Sequence, residues 1–459
     1  MKSRLPATPL DALSISGVLR FMVKILHGCA DILGFWKYPS KTAAADFEDW
    51  SLLDKIRWGY KSKKPVLRGE KGAQLEAFFK KGVAPPTYSR KVSQGIGKNN
   101  QKIFSLPKGF EQKYSVTFSA VGDLIKVGGL ENSRDKLYEK VADLIFDQDI
   151  SYANLESQLT HQEIGEYTFS EKETPPLCLT KEQYEAIKGH QGKQFRLMHT
   201  ACNHTFDTGL EGVVTTLAQL ETDQITDLGT NRHPAEQQQG RIVEIRGIKI
   251  GFVSATYGLN GKIVPPGKEY MVNVVKFHPD GKGQADAKPD LTLLNNQITY
   301  CREQGCDMII ASLHWGYEYE FFPRQHQVEL AHALVEAGVD VIVGHHAHVL
   351  QPVEYYCPQR DPDRIAVIAY SLGNLTTSFS APHLVLSGVL NLTIVKGVVH
   401  GEEKTVVREA QLIPVVQRDF MAGDLPVIQL EKLETLSENK TNEERDYISA
   451  VEGYAELVL

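Results

Sequence analysis

The stretch VDVIVGHHAHVLQ at 339–351 constrains this chain more than any other. A near-continuous apolar run of that kind reads as a strand buried on both faces of a parallel sheet. It delivers His345, His346 and His348 at its end. Three imidazoles in four residues are costly to bury unless something coordinates them, and a metal ion is the coordinating partner imidazole suits best.

The surrounding texture repeats the theme. Short apolar runs at 115–121, 150–154, 195–201, 241–245, 248–254, 307–313, 339–343 and 365–370 each end in polar residues. Helix-like segments at 134–147, 209–221, 290–304 and 324–337 lie between several of them. That order predicts an α/β domain with much parallel pairing. Residues 384–416 read as a hairpin turning near 399–402, which makes the sheet mixed.

Polar clusters at strand ends are where α/β folds bind ligands. Gly122-Asp123 ends one run, and ANLE at 153–156 supplies Asn154 and Glu156. CNHTFDTG at 202–209 supplies Asn203, His204 and Asp207, and LHWGYEYE at 313–320 supplies His314 and Glu318. Alone, each has an ordinary explanation as a turn, cap or surface residue. Together, carboxylate, amide oxygen and imidazole without thiolate form a ligand set for Mn²⁺, Zn²⁺ or Fe. Two such ions, about 3.5–4 Å apart, activate water and stabilise charge on a phosphoryl or acyl oxygen.

The flanks carry no catalytic pattern. Helices are expected over 13–36, 45–61 and 72–81, followed by loop-like sequence over 82–110. In 13–36 the polar residues Ser16, Arg20, Lys24, His27 and Asp31 form one stripe on an otherwise apolar helix. No apolar run there approaches the ~20 residues that span a bilayer, and no cleavage site follows it. Such a helix packs on the protein or lies in a membrane interface; packing is preferred because the stripe is not strongly basic. The expectation is a cytoplasmic protein, with peripheral contact on the inner membrane through 13–36 left open. Three regions are expected: a helical N-terminal extension at 1–110, a catalytic-type domain at 111–420 and a helical tail at 421–459 packed on that domain. With 42% hydrophobic and 23% charged residues among 459, the chain can bury a large core. A net charge of −7 gives no sign of a nucleic-acid partner. Its six cysteines, without a CxxC pair, are read as reduced thiols.

Taken in order, these segments together with GHHAHVLQPVE at 344–354 and YSLGN at 370–374 resemble the CapA family, the bacterial capsule or poly-γ-glutamate synthesis proteins. That family is a branch of the calcineurin-like metallophosphoesterase superfamily, and the likeness runs from about 116 to 414. It implies a four-layer α/β/β/α sandwich with two mixed sheets and the metals at one end. It also implies two divalent metal ions. Asp123 would bind the first and Glu156 would stand where the superfamily has its bridging carboxylate. Asn203 would bind the second, and His314, His346 and His348 would complete both spheres, with His345 the alternative to His346. His204 would protonate the leaving group, oriented by Asp207. Ser371 and Asn374 would lie in a loop near the site. Two departures stand out. Asp123 is followed by Leu124-Ile125 where the superfamily has Asp-x-His, and Cys202 stands where the family commonly has Asn.

The activity implied is that of a metal-dependent hydrolase acting on an anionic phosphoester or on a poly-γ-glutamate-related polymer. The competing reading is a non-catalytic accessory subunit of capsule or poly-γ-glutamate synthesis with a vestigial metal site. Retention of His204 with Asp207 favours the first and the missing imidazole at position 125 favours the second.

Overall fold

The computed structural model describes residues 101–161, 176–277, 289–442 and 444–459. The helices expected at 13–36, 45–61 and 72–81 lie outside the described residues, as does most of the loop expected at 82–110.

Among the described residues the chain forms two large mixed sheets. The first contains β1 (Gln101–Ile103), β2 (Glu111–Leu124), β3 (Ile150–Leu155), β4 (Leu197–His199) and β5 (Thr226–Leu228). The second contains β6 (Arg241–Ile245), β7 (Ile248–Thr256), β8 (Met308–His314), β9 (Val341–His345), β10 (Val353–Tyr356) and β11 (Ala366–Ala369). The chain then returns to the first sheet with β12 (Asn374–Thr376), β13 (Leu386–Val399), β14 (Glu402–Ala422) and β15 (Leu425–Lys432). In space the first sheet runs β1-β14-β13-β2-β3-β4-β5, with β12 on β2 and β15 on β14. The second runs β6-β7-β8-β9-β11-β10.

Strand alternation builds the layers. Side chains two apart on a strand share a face. Phe118, Tyr152, Leu197, Phe252, Ile310, Val343 and Val367 fill the space between the sheets. Their strand neighbours Ala153, Leu155 and Met198 face outward, beneath Leu137, Tyr138, Tyr184 and Ile187. Of that cover, helix α1 (Lys181–Ile187) begins at a capping box in which Thr180 and Gln183 satisfy each other's backbone N–H groups. Helix α2 (Gly209–Thr222) follows the 200–208 loop. On the far side, α3 (Thr292–Glu303) and α4 (Gln325–Ala337) pack Ile298, Val328 and Leu334 on Ile309, Ala311 and Ile342. The four-layer α/β/β/α expectation is met.

All eight expected strands are present, each coinciding with an observed strand. The expected hairpin is β13–β14, closed by His400-Gly401, both at positive φ (53° and 89°) as a type I′ turn requires. Three expectations need revision. Of the helix expected at 134–147, only Ala142–Phe146 is α-helical. Before it, Lys136, Glu139 and Val141 bond three residues back, closing tight turns that bury Leu137 and Tyr138. Residues 101–103 are not loop but an edge strand on β14. The tail from 421 completes β14 and turns into strand β15, paired along its length with β14, before helices α5 (Leu433–Asn439) and α6 (Arg445–Val458). No helix among the described residues is long and apolar enough to cross a membrane.

Candidate metal centre

The parallel strands β2, β3 and β4 of one sheet and β7, β8, β9 and β11 of the other bring their polar ends together. Asp123 stands at the end of β2 behind a bulge, where the register with β3 shifts between Ala120 and Asp123. Gly122 permits this: a Cβ there would sit 2.0 Å from the Gly373 carbonyl oxygen. The same carbonyl accepts the Asp123 N–H at 2.9 Å, tying the 370–374 loop to the site. Beyond β9 the chain turns sharply, with His346 and His348 both in the left-handed region (φ 85° and 56°). For non-glycine residues that conformation costs roughly 1–2 kcal/mol each, and it persists at sites whose surroundings impose it.

Two overlapping donor groups result. Asp123, Glu156 and His314 offer ligand atoms within 4.8 Å of one another, and so do Glu156, His346 and His348. Glu156 belongs to both. Asn203 Oδ1 lies 2.8 Å from His314 Nε2, so it joins the same cluster. His348 approaches both carboxylates, at 3.6 Å from Asp123 Oδ2 and 3.6 Å from Glu156 Oε1. The six residues assigned to the metals by sequence are thus gathered in one place.

The electrostatics of the cluster suit a cation. Asp123 and Glu156 are fully buried side by side. Neither oxygen of Glu156 has a hydrogen-bond partner among the described residues. Burial pushes the Glu156 carboxyl well up; the charge of Asp123 and its side-chain contact with Glu156 add to the effect, followed by the charges of Glu318 and Asp207. Burial alone would also raise Asp123, but its hydrogen bond from His345, the nearby His345 and His348, and Asn154 hold it below the usual carboxylate range. His314 is driven well down by burial and by the neighbouring imidazoles. A buried carboxylate without a hydrogen-bond partner, next to a second carboxylate, calls for a proton or a cation. The oxygen and nitrogen donors around it suit a hard-to-intermediate divalent ion, so the residues present fit the metals the fold implies.

The doubled histidine separates cleanly. His345 Nδ1 donates to Asp123 Oδ1 at 2.9 Å, leaving Nε2 to accept from the Tyr152 hydroxyl at 2.8 Å. Tyr152 is in turn hydrogen-bonded to Ser312. Both ring nitrogens of His345 are engaged, one on Asp123 and the other on Tyr152, whereas His346 offers a ring nitrogen to one of the donor groups. Asn154 braces the same carboxylate, donating to Asp123 Oδ1 at 2.9 Å. Asn374 Oδ1 accepts from His348 Nδ1 at 2.9 Å, and its amide donates to the His348 carbonyl at 3.1 Å. That pair turns His348 Nε2 toward Glu156. Ser371 stays within its loop, accepting the Gly373 N–H at 3.2 Å. Glu318 is outside the donor groups and acts on Glu156 by charge.

His204 Nδ1 donates to Asp207 Oδ2 at 2.7 Å, and Asp207 Oδ2 also accepts the Leu177 N–H at 2.9 Å. Cys202 is buried with its thiol 3.6 Å from the Glu156 carbonyl oxygen, a packing neighbour of the site. At position 125, where an imidazole is missing, the Ile125 backbone is clasped by Thr376. Sequence reasoning missed Tyr152, Ser312 and His199. His199 is fully buried beside Asn154 in the strand register, and neither ring nitrogen has a hydrogen-bond partner among the described residues. Burial, then nearby His345, hold its pKa well down. Its inward alternation was readable; its neighbours across the sheet interface were not.

Comparison with known proteins adds the following. The family described as bacterial capsule synthesis protein PGA_cap matches residues 117–378, which include every site residue from Asp123 to Asn374. The PGA biosynthesis protein CapA of Bacillus subtilis is 28% identical over 262 residues, covering 56% of this chain and 62% of that protein. The capsule biosynthesis protein CapA of Bacillus anthracis is 25% identical over 276 residues, covering 58% and 61%. A probable polyglutamine synthesis accessory protein of Mycobacterium tuberculosis is 24% identical over 212 residues, covering 45% and 52%. The chain therefore spans about six tenths or less of the length of these relatives.

Proposed function

The chain belongs to the bacterial capsule synthesis protein PGA_cap family, and from that premise we propose that it is a metal-dependent hydrolase with a dinuclear centre. The observation that carries the reading is Glu156, a buried carboxylate with no hydrogen-bond partner among the described residues, shared by two donor groups. Asp123, Glu156, Asn203, His314, His346 and His348 would hold two Mn, Zn or Fe ions, with Glu156 common to both. When bound, such a pair supplies Lewis-acid polarisation of the scissile group and an acidified water as nucleophile.

The chain's own groups supply the rest. His204, with Nδ1 committed to Asp207, keeps Nε2 available to give a proton to the departing oxygen. Asp207 fixes the ring and its tautomer while the Leu177 N–H holds Asp207 in place. Asn154 and His345 hold Asp123, and Asn374 holds His348. The substrate class is an anionic phosphoester or a γ-glutamyl polymer, the second supported by the names of the relatives. We place this machinery in a domain spanning 111–420, with residues 1–110 as an extension that sets location in the cytoplasm or at the inner membrane surface.

The second reading is a non-catalytic accessory subunit, favoured by one relative's name and by Ile125 in place of an imidazole. Metal counting on the wild-type protein and on His346→Ala/His348→Ala separates them, followed by assay on phosphodiesters and poly-γ-glutamate. Two equivalents of metal with His204-dependent turnover support the hydrolase. Wild-type protein that takes up no Mn²⁺, Zn²⁺ or Fe²⁺ and turns over nothing supports the accessory role.

A further inference from the structure

Far from the candidate metal centre, at the carboxyl end of α3, Cys301 and Cys306 come together by the geometry of the helix end. The Cys306 N–H bonds to the Cys301 carbonyl at 3.0 Å and the Gly305 N–H to the Arg302 carbonyl at 2.8 Å. With Gly305 left-handed at φ 75°, these are the two nested bonds of a Schellman motif, which brings the first and sixth residues side by side. Those two residues are ordinarily a pair of apolar side chains; here they are both thiols.

The surroundings are hollowed for sulfur. A Cβ on Gly240 would stand 2.3 Å from Cys301 Sγ. One on Gly251 would stand 2.7 Å from Cys301 Sγ and 3.2 Å from Cys306 Sγ. A single point that near to both sulfurs makes them neighbours. They are also unequal. Cys301 is buried, whereas Cys306 is half-buried beneath Lys249, whose ammonium reaches the Gln304 carbonyl at 2.6 Å. The neighbouring Cys301 thiol lowers the Cys306 thiol pKa against the effect of burial, with Lys249 assisting and Asp307 opposing. Cys301 is raised by the same pairing and by burial. A half-buried thiol with a lowered pKa beside a fully buried one is the arrangement of an attacking and a resolving cysteine.

We infer that Cys301 and Cys306 are a redox-active dithiol that a small hydroperoxide converts to an intramolecular disulfide. Cys306 attacks the hydroperoxide, whose O–O bond breaks to give a sulfenic acid and water or an alcohol. Cys301 Sγ then attacks Cys306 Sγ, the S–O bond breaks, water leaves and the S–S bond forms. Two thiols lose two electrons and two protons, and the hydroperoxide takes them up. The bond would join the end of α3 to the entry of β8, and its formation does not depend on the metals.

The test treats the full-length protein with hydrogen peroxide, blocks remaining thiols under denaturing conditions and maps the peptides. Arg302 lies between the two cysteines, so trypsin cuts there and a 301–306 disulfide leaves two peptides joined until a reductant is added. The expected result is that cross-link in the wild type, with Cys306 trapped as a dimedone adduct in Cys301→Ser. A wild-type Cys306 driven to sulfinic acid while Cys301 still alkylates would overturn the proposal, as would two unmodified thiols. The wild-type map alone decides if Cys301→Ser does not fold.

Discussion

Glu156 is the residue on which the chemistry turns. With no hydrogen-bond partner for either oxygen among the described residues, its charge is a liability to the metal-free fold and an asset only when a cation is present. Glu156→Gln is therefore expected to stabilise the metal-free protein by about 1–3 kcal/mol while abolishing the rise in melting temperature that Mn²⁺ gives the wild type. Thermal scans with and without Mn²⁺ check both signs; an unchanged Mn²⁺ response would refute the bridging role. His345 tests the support behind Asp123. Supporting groups of this kind typically contribute 10–100-fold to metal affinity, so His345→Phe should weaken binding by about that factor in calorimetry while the stoichiometry is kept. Tyr152→Phe leaves His345 Nε2 and Ser312 without their shared hydroxyl. A loss of about 1–3 kcal/mol is expected in urea unfolding. The sequence made the donors legible because their residue types and order are unusual. It could not decide between His345 and His346, since that depends on left-handed backbone at 346 and on Tyr152, which reaches His345 from the opposite sheet.

At the scale of elements, strands were legible wherever apolar runs ended in polar residues, because burial on both faces of a central strand leaves no room for another pattern. The helix expected at 134–147 failed for a local reason. Ser133 donates to the Gly129 carbonyl and accepts the Ile428 N–H, so this segment is moulded to β15, a strand whose partnership no local signal announces. The junction of α1 and α2 offers a test by pH. Burial would raise the Asp223 carboxyl, but Gln219, Lys188 and Tyr184 together hold it below the usual range. The Tyr184 hydroxyl donates at 2.8 Å and Lys188 at 2.9 Å. A carboxylate with a depressed folded-state pKa stabilises the protein above its unfolded pKa of about 3.9, and that contribution fades as the pH falls through the folded value. Asp223→Asn should thus cost about 1–2 kcal/mol near neutrality, with the gap to wild type closing in acid. A gap that stays constant with pH would point to packing instead.

For the molecule as a whole, one chain crosses between two sheets so that the ends of β2 and β3 face those of β8 and β9. Site and fold are therefore inseparable: Asp123 and Glu156 come from one sheet, His314, His346 and His348 from the other, and Phe118, Tyr152, Phe252 and Val343 set the space between them. The layered class followed from the order of strands and helices. The return of β12 to β15 to the first sheet did not, because it depends on pairing partners far apart in sequence. The claim that the two sheets together frame a pair of cations is tested most directly by anomalous diffraction at the manganese edge from crystals grown with Mn²⁺. Two peaks about 3.5–4 Å apart, both against Glu156, are the predicted result. An anomalous map with no peak among Asp123, Glu156, His314, His346 and His348 would contradict it.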